Sequence, residues 1–351
     1  MSVPTSMRAL ITLARRAADV QEVPIPDIDD DEILVKVGAV AQNPTDWKHI
    51  DNTGHVGTIC GCDFSGHVAK VGSKVTNVVV GDHVAGFTHG GYYKDRGAFA
   101  EYTKVSGDLV WTIPEHTLTE EEAATFGCAF WTAVQALFHP SRLGMVEPPE
   151  EVQHEQWIFI YGGSSSVGMF AIQLAHLADY KVVTVASPRN WELCKSLGAD
   201  VVLDYHDPHV VDKIKEVAHN NIHLALDTIA IPSSQVLTAK AFGPGPGKMI
   251  VIQAPQKDVK DFRDDITIRH TLIYTALGRE FFMRQTYLAS PEDRNHMAQF
   301  LKKVPGFVSA GLIKPNPVKV WKGGLDGINA GLDYMREGKN SGEKVVYRIS
   351  G

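Results

Sequence analysis

One stretch of this sequence, residues 157–252, limits the fold more than any other, because short apolar runs alternate there with helical patterns. The run Trp157–Tyr161 is wholly apolar, as expected of a parallel strand that is buried on both faces. Apolar residues then recur at helical spacing over 169–177. The rest of the alternation is predicted at 182–186 (strand), 191–197 (helix), 201–203 (strand), 210–218 (helix), 224–226 (strand) and 249–252 (strand). This order predicts an α/β fold with a doubly wound parallel sheet.

The residues on either side of this stretch predict a second, β-rich module. Residues 32–37 alternate in hydrophobicity, and closely spaced Gly and Asp residues separate the short runs that follow. This pattern is typical of a compact barrel or rolled sheet. The chain ends in the strand-like run 344–349, which we expect to pair with the first module. The expected domains are 1–125 (β-rich), 126–300 (parallel sheet) and 301–351 (a return to the first module).

The charge balance excludes two classes of partner. Lysine and arginine total 34 against 41 aspartate and glutamate residues, which gives a formal net charge of −7. Nucleic acids and anionic membranes both require a basic surface. No apolar run approaches the ~20 residues that cross a bilayer, and the apolar stretch near the N-terminus is too short for a secretory signal. We therefore expect a soluble, cytoplasmic protein that binds neither nucleic acid nor membrane.

A loop of glycine and serine joins the first apolar run to the next helical pattern. Gly162–Gly168 has the composition that lets a pyrophosphate approach the backbone, where amides at a helix N-terminus donate to it. The central glycine usual in such loops is replaced by Ser165, whose hydroxyl is also a donor. A loop of this kind is a weak motif in isolation and a specific one at the first crossover of a parallel sheet. Its expected cofactor contacts are Ser164, Ser165, Ser166 and Val167.

The end of the second predicted strand indicates which dinucleotide binds. Sites selective for NAD place Asp or Glu there, because the carboxylate binds the ribose 2′-hydroxyl and repels a 2′-phosphate. Residues 186–190 read Ala-Ser-Pro-Arg-Asn and contain no acid. Ser187 and Arg189 offer a hydroxyl and a guanidinium, which suit a phosphate, and Tyr205 follows the third strand. Together with Asn190 they predict NADPH; the alternative is that Arg189 is an exposed residue at a solvated helix start.

Motifs along nearly the whole chain resemble the medium-chain dehydrogenase/reductase superfamily. They are the runs 43–48, 61–66, 71–72, 81–84 and 97–102, together with the glycine–serine loop. The resemblance implies a GroES-like catalytic domain, a Rossmann domain and a C-terminal segment that returns to the first domain. Within the superfamily, the runs 46–48, 186–190 and 341–346 are similar to the trans-acting enoyl reductases of fungal polyketide synthesis. Those enzymes partner a polyketide synthase whose own reductase domain is inactive, which implies the synthase or its acyl carrier protein as a partner here.

The resemblance also bears on zinc, which part of the superfamily uses. The metal-ligand positions of the zinc alcohol dehydrogenases correspond here to Asn43, to the pair Cys62-Asp63 and to Cys128. A catalytic zinc needs three good protein ligands, and an asparagine is a poor replacement for a thiolate. The cysteine-rich segment that holds structural zinc is missing from residues 88–98, and no C-x-x-C occurs in the sequence. We therefore predict no metal.

Reduction of a carbon–carbon double bond conjugated to a thioester suits a site without a metal. The nicotinamide supplies hydride to the β-carbon, and a proton then reaches the α-carbon. The protein has to align the reacting atoms and donate hydrogen bonds to the carbonyl. Lys48 and Thr132 are the candidate catalytic residues: Lys48 to donate to the substrate carbonyl or the nicotinamide ribose, Thr132 to position the nicotinamide or the thioester. The alternatives are a surface lysine and a helical threonine that bonds to its own backbone.

The resemblance implies further contacts and a function. Cofactor contacts are implied for Thr45, Asp46, Trp47, Lys48, Ile252, Gln253, Glu343 and Lys344. Substrate contacts are implied for Thr132, Leu272, Ile273, Tyr274 and Thr275. The leading hypothesis is an NADPH-dependent, trans-acting enoyl reductase that reduces α,β-unsaturated thioesters of a carrier-bound polyketide intermediate in secondary metabolism. The alternatives are an NADPH-dependent quinone or free-enone oxidoreductase and a catalytically silent NADP-binding protein.

Two surface features concern partners. An acidic carrier protein needs a locally basic docking surface, which residues 263–303 offer in part. The basic side chains of that span are Arg263, Arg269, Arg279, Arg284, Arg294, Lys302 and Lys303. Interspersed acids favour the alternative that this is an ordinary solvated face. Pro244 and Pro246 lie just before the strand at 249–252 and hinder pairing of a sheet edge, which favours a monomer over a dimer.

Overall fold

The computed structural model describes residues 3–53, 55–260 and 262–349. The strands are β1 (Ser6–Ala14), β2 (Ala17–Pro24), β3 (Glu32–Ala41), β4 (Asp63–Val71), β5 (His83–Phe87), β6 (Tyr102–Ser106), β7 (Val110–Thr112), β8 (Trp157–Tyr161), β9 (Lys181–Val185), β10 (Val201–Leu203), β11 (Ile222–Asp227), β12 (Gly247–Val251), β13 (Ile266–His270), β14 (Phe281–Met283), β15 (Gln285–Tyr287), β16 (Val318–Val320) and β17 (Lys344–Arg348). The α-helices are α1 (Pro44–Lys48), α2 (Glu120–Ala123), α3 (Cys128–Phe138), α4 (Ser166–Leu177), α5 (Trp191–Ser196), α6 (Val210–Val217), α7 (Pro232–Lys240), α8 (Lys257–Lys260), α9 (Pro291–Leu301), α10 (Val304–Ser309) and α11 (Ile328–Arg336).

The chain divides into two compact units. The first contains the residues up to Ala129, Met297–Gly311 and the chain from Pro315 onward, and the second contains Phe130–His296 with Leu312–Lys314. Each unit has a main sheet of its own. The predicted domain limits 1–125, 126–300 and 301–351 remain predictions. Among the residues that the structure describes, no helix is both long and apolar enough to span a membrane.

The second unit is built on a six-stranded sheet in the order β10-β9-β8-β11-β12-β13. All of its strand pairs are parallel. This is the doubly wound order that the alternation of apolar runs predicts. The order reverses between β8 and β11, where Tyr161 pairs with Asp227. Ligands of such sheets bind beside this reversal, outside the carboxyl ends of the strands.

Burial explains why most strands of this sheet are recognisable in the sequence. Residues 158–160 of β8 are 0% exposed, and both α4 and α7 contact this strand. A strand covered on both faces needs apolar residues at every position rather than an alternating pattern. The structure also contains β13 and the antiparallel hairpin β14–β15, which the sequence analysis did not predict. Because β13 pairs with β12 and forms the edge of the sheet, the prediction that Pro244 and Pro246 precede an edge strand is wrong.

The first unit is built on a seven-stranded sheet to which the last strand of the chain belongs. Its order is β16-β17-β3-β4-β5-β7, and β6 also pairs with β3. β17 runs antiparallel to β3 and pairs Val346 with Ala41, so the predicted return of the chain end is confirmed. Residues 344–347 of β17 are all buried. This unit is rich in strands, as the alternation at 32–37 predicts.

Candidate active site

The loop between β8 and α4 is held by hydrogen bonds to its own backbone and to the residue after β11. Ser165 caps α4, because its Oγ accepts the backbone N–H of Gly168 at 2.9 Å. The same oxygen lies 2.8 Å from Oγ1 of Thr228. Thr228 donates to the carbonyl oxygen of Tyr161 at 2.8 Å. Because a hydroxyl has one hydrogen to donate, Ser165 donates to Thr228, and its side chain shapes the loop.

Two glycines allow the backbone of this loop to turn sharply and to pack closely against itself. Gly162 has a φ of +84°, in the left-handed region that favours glycine. A Cβ at Gly168 would lie 2.2 Å from the carbonyl oxygen of Gly162. Residues 164–167 are all partly exposed. Backbone N–H groups in the first turn of α4, a helix of 12 residues, complete a cradle that fits the phosphates of a dinucleotide.

The predicted 2′-phosphate contacts lie at the ends of β9 and β10. Oγ of Ser187 is 3.3 Å from the hydroxyl of Tyr205, so the structure brings these two donors together. Arg189 is exposed on the 3₁₀ turn Pro188–Asn190, and Asn190 is buried in the same turn. Two hydroxyls and a guanidinium therefore occupy the region where NAD-selective sites carry a carboxylate.

A buried carboxylate at the end of β11 was not predicted from the sequence. Asp227 is 0% exposed, and its Oδ1 accepts two backbone N–H groups of the next loop, at 2.8 and 2.9 Å. Its Oδ2 accepts the Ser234 hydroxyl at 2.6 Å, and burial raises the pKa of Asp227. Ile252 and Gln253, the cofactor contacts implied after β12, follow the strand that neighbours β11 in the sheet. Gln253 donates to the carbonyl oxygen of Ile229 at 3.5 Å, and Ile252 is partly exposed. The sequence does contain a signal for Asp227, because it is an acidic residue at the end of a mostly apolar strand.

The segment predicted to border a substrate tunnel lies in and before the 3₁₀ turn Ile273–Leu277. Ile273 and Tyr274 are buried, whereas Leu272 and Thr275 are partly exposed. Thr132, on α3, is 7% exposed. Of these side chains, Leu272 and Thr275 are the ones that a ligand reaches most directly.

Thr275 belongs to a buried polar network that the sequence analysis missed. Its hydroxyl donates to the carboxylate of Asp293 and accepts from Nε2 of Gln135 at 3.0 Å. Asp293 is also paired with Nε2 of His139 at 3.1 Å and with Nη2 of Arg142 at 3.2 Å. Burial lowers the pKa of His139. One carboxylate therefore fixes the positions of both Thr275 and Arg142.

In the first unit, α1 carries the predicted cofactor residues Thr45–Lys48. Asp46 is buried and accepts the backbone N–H of Asn43 at 2.6 Å. Burial, together with the carboxylate of Asp63, raises the pKa of Asp46 to about 7. The other residues of α1 after its first proline are partly exposed, and burial lowers the pKa of Lys48. Lys48 therefore gives up a proton more readily than a solvated lysine does.

Comparison with known proteins identifies the family to which this chain belongs. The model of the alcohol dehydrogenase GroES-like domain matches residues 29–115, and that of the zinc-binding dehydrogenases matches residues 166–302. The chain is 39% identical to trans-enoyl reductase ACTTS2 of Alternaria alternata, over 97% of this chain and 98% of the relative. The chain belongs to the medium-chain dehydrogenase/reductase superfamily. It is also 41% identical to trans-enoyl reductase TOXD of Cochliobolus carbonum, over 80% of this chain and 94% of the relative.

Solved structures of the superfamily share the fold of this dehydrogenase/reductase. A putative zinc-dependent alcohol dehydrogenase protein from Rhizobium etli has a TM-score of 0.83 and 25% identity, over 99% of this chain and all of that one. CurK enoyl reductase has a TM-score of 0.77 and 20% identity, over 98% of this chain and 99% of that one. The predicted combination of a GroES-like and a Rossmann domain is confirmed. The chain is an oxidoreductase, and its fold implies a nicotinamide cofactor.

A zinc ion does not fit the ligand positions of this dehydrogenase/reductase. The ammonium of Lys344 lies there instead: it donates to Oδ1 of Asn43 at 2.5 Å and is 3.0 Å from Oδ2 of Asp63. The side chains of Lys344 and Asp63 are 2% and 0% exposed. The other Asp63 oxygen accepts the N–H of Cys128 at 2.6 Å. Burial raises the pKa of the Cys62 thiol well above its usual range, which disfavours the thiolate that binds zinc.

The two predicted cofactor residues near the chain end are thus both held in ion pairs. Glu343 accepts Nζ of Lys319 at 3.0 Å and the hydroxyl of Tyr334 at 3.2 Å. Lys344 is bound as just described. Their contacts to a cofactor remain predictions, as do those of the other residues named from the sequence.

The buried Asp46 carboxyl makes a pH-dependent contribution to stability. Because its folded pKa of about 7 lies above its unfolded value, its contribution is greatest at low pH and is lost as the pH rises toward 7. Asp46→Asn keeps this group neutral at every pH. The unfolding free energy of the variant minus that of the wild type should therefore rise between pH 4.5 and 7.5, by about 3 kcal/mol. Urea unfolding of both proteins at the two pH values measures this rise. A difference that stays constant between pH 4.5 and 7.5 would refute the assignment.

Proposed function

We propose that the chain is an NADPH-dependent, trans-acting enoyl reductase that reduces α,β-unsaturated thioesters of a carrier-bound polyketide intermediate in secondary metabolism. The ion pair of Lys344 with Asp63, with Asn43 beside it, carries this proposal. An ammonium occupies the positions from which zinc enzymes hold the Lewis acid for carbonyl chemistry. Reduction of a conjugated double bond spreads the developing charge over a thioester, and hydrogen-bond donors suffice to stabilise it.

The relatives support the same substrate class and a partner. Proteins named trans-enoyl reductases match this chain along nearly its whole length. A reductase that acts in trans receives its substrate from a separate protein. We therefore infer that a polyketide synthase, or its acyl carrier protein, presents the thioester to this chain.

NADPH as the coenzyme is supported by the donors at the second strand of the parallel sheet. Ser187 and Tyr205 form one pair of hydroxyls, and Arg189 lies exposed beside them in sequence. A guanidinium with adjacent hydroxyls matches the charge and geometry of a 2′-phosphate. The backbone of residues 162–168 would hold the pyrophosphate.

Each candidate catalytic side chain has one proposed task. NADPH, when bound, would supply a hydride to the β-carbon of the thioester, and a proton would then be added at the α-carbon. Lys48 donates a hydrogen bond to the thioester carbonyl, which stabilises the charge that develops there. Thr132 positions the nicotinamide or the thioester through its hydroxyl. The partly exposed Leu272 and Thr275 border the acyl chain.

An NADPH-consumption assay tests the function. Crotonyl and longer enoyl thioesters are offered to the purified protein with NADPH, with and without added zinc. We expect saturated thioester to form at a rate that zinc does not change. Turnover of quinones or free enones with no turnover of any enoyl thioester would replace this proposal by the quinone or enone reductase. Tight NADPH binding with no turnover at all would favour a silent binding protein.

Arg189→Ala tests the coenzyme. Loss of a charged hydrogen-bond donor to a phosphate typically costs about 1.5–3 kcal/mol, so we expect the KM for NADPH to rise roughly 10- to 100-fold. The KM for NADH, which has no 2′-phosphate, should stay the same. The control is Lys195→Ala, which removes an exposed cation paired with Glu192 on α5. Equal effects of Arg189→Ala on both coenzymes would contradict a 2′-phosphate contact.

A further inference from the structure

A cleft of about 390 Å³ lies in the second unit beside the segment predicted to border the substrate. Its lining includes Leu272 and Thr275 from that segment. Three nitrogen-bearing side chains, Arg142, Arg269 and His270, also line it. The cleft therefore places basic side chains next to the segment predicted to border the substrate. This local basic surface contrasts with the net charge of −7 of the whole chain.

The two guanidiniums of this wall differ in how they are held. Arg142 is fixed by the buried carboxylate of Asp293, 3.2 Å from its Nη2. Arg269, exposed on β13, donates from Nη1 to the carbonyl oxygen of Ser141 at 3.2 Å. Among the side chains that the structure describes, no carboxylate forms an ion pair with the Arg269 guanidinium. One neutral acceptor holds Arg269 over the cleft while its charge remains available to a ligand.

Other basic residues of the same region are engaged elsewhere. Arg263 is paired with Asp265 at 2.6 Å and also donates to the backbone oxygens of residues 243 and 245. Arg294 donates to the carbonyl oxygen of Leu277 at 3.2 Å. Among the arginines and lysines that the structure describes in the span 263–303, Arg269 is the one that lines this cleft, beside His270.

The chemistry of the cleft matches a phosphate diester with a short, partly apolar arm. Guanidiniums suit phosphate oxygens because their planar fork donates two parallel hydrogen bonds. The hydroxyls of Thr275 and Tyr287 add polar groups to the lining, and Ile268 and Leu272 add apolar surface. If the function proposed above holds, the substrate is a thioester on a phosphopantetheine arm. We propose that this cleft binds the phosphate of that arm, with Arg269 as its principal contact.

The matched probes are crotonyl pantetheine and crotonyl 4′-phosphopantetheine, which differ by the phosphate alone. For the wild-type chain we expect a lower KM for the phosphorylated probe. Arg269→Ala should raise that KM about 10-fold and leave the KM for crotonyl pantetheine unchanged. The control is Lys195→Ala, which removes an exposed cation that pairs with Glu192 and does not line the cleft. Crotonyl-coenzyme A and a crotonylated carrier domain of a fungal polyketide synthase then distinguish the two sources of such an arm.

The possible outcomes distinguish a failure of this inference from a failure of the proposed function. If the wild-type chain reduces neither probe, the proposed function fails, and calorimetry with phosphopantetheine and pantetheine, at saturating NADP⁺, still tests the cleft. Tighter binding of phosphopantetheine that Arg269→Ala abolishes would support the cleft even then. Equal binding or equal KM values for the two probes, or equal effects of Arg269→Ala on both, would overturn the inference. If Arg269→Ala also raises the KM for only one of the two larger substrates, crotonyl-coenzyme A or the carrier thioester, that substrate identifies the source of the arm.

Discussion

Replacing Lys344 with alanine is expected to lower the free energy of unfolding by about 3–5 kcal/mol. The substitution removes the ammonium 3.0 Å from Asp63, whose side chain is 0% exposed, and also the donor to Asn43. A carboxylate that loses its partner in such a place keeps the full cost of its desolvation. Urea or guanidinium denaturation followed by fluorescence measures the loss.

A second ion pair of the same length, but more exposed, serves as the control for the effect of burial. Lys319 makes an ion pair of the same length, 3.0 Å, with Glu343, but the two side chains are 37% and 26% exposed. Lys319→Ala should therefore cost less than about 1 kcal/mol. The double substitution Lys344→Met with Asp63→Asn, which removes both charges, should recover much of the loss. A cost for Lys344→Ala no greater than that for Lys319→Ala would contradict the role assigned to the buried pair.

Gly168→Val is expected to weaken NADPH binding at least about 100-fold, equal to about 2.8 kcal/mol. The Cβ of any side chain at Gly168 would lie 2.2 Å from the carbonyl oxygen of Gly162, so the loop must move. The same movement would displace the N–H of residue 168, which Ser165 accepts at 2.9 Å. Quenching or transfer of protein fluorescence on titration with NADPH measures the affinity.

The same substitution at another glycine is the control. Gly306 lies exposed on α10, and a Cβ there meets nothing within 4 Å. Gly306→Val should leave NADPH affinity unchanged. Circular dichroism of the Gly168→Val protein checks whether the variant is folded. A folded Gly168→Val protein whose NADPH affinity stays within threefold of the wild type would refute the assignment of the loop.

The parts predicted well from the sequence are those determined by local patterns. Trp157–Tyr161 is a strand with the predicted limits, because a strand covered on both faces must be apolar throughout. β17 begins at Lys344, as the strand-like run 344–349 predicts. The hairpin β14–β15 was missed, because its strands are three residues each and Phe282 is exposed. Such short runs carry no readable alternation.

The parts of the site that were missed depend on residues far apart in the sequence. Asp293 meets His139 and Arg142 only through folding, and no spacing motif joins positions so distant. Lys344 is a similar case: it contacts Asn43 across 301 positions. The resemblance marked both Asn43 and Lys344 as notable but did not relate them. Zinc was predicted to be absent from the donor types alone, and the structure adds a physical reason in the ammonium that lies there.

The pairing of β17 with β3 has a consequence for how the chain folds during synthesis. The parallel sheet is complete once residue 270 has been made. One edge of β3, which β6 covers over residues 32–36, gains its partner at residues 39–41 only when residues 346–348 have been made. Until those residues have been made, residues 39–41 of β3 therefore keep an open edge of the kind that pairs with other chains. Messenger RNA truncated shortly before codon 344 would yield a nascent protein with a finished dinucleotide-binding half and an unfinished, aggregation-prone partner half.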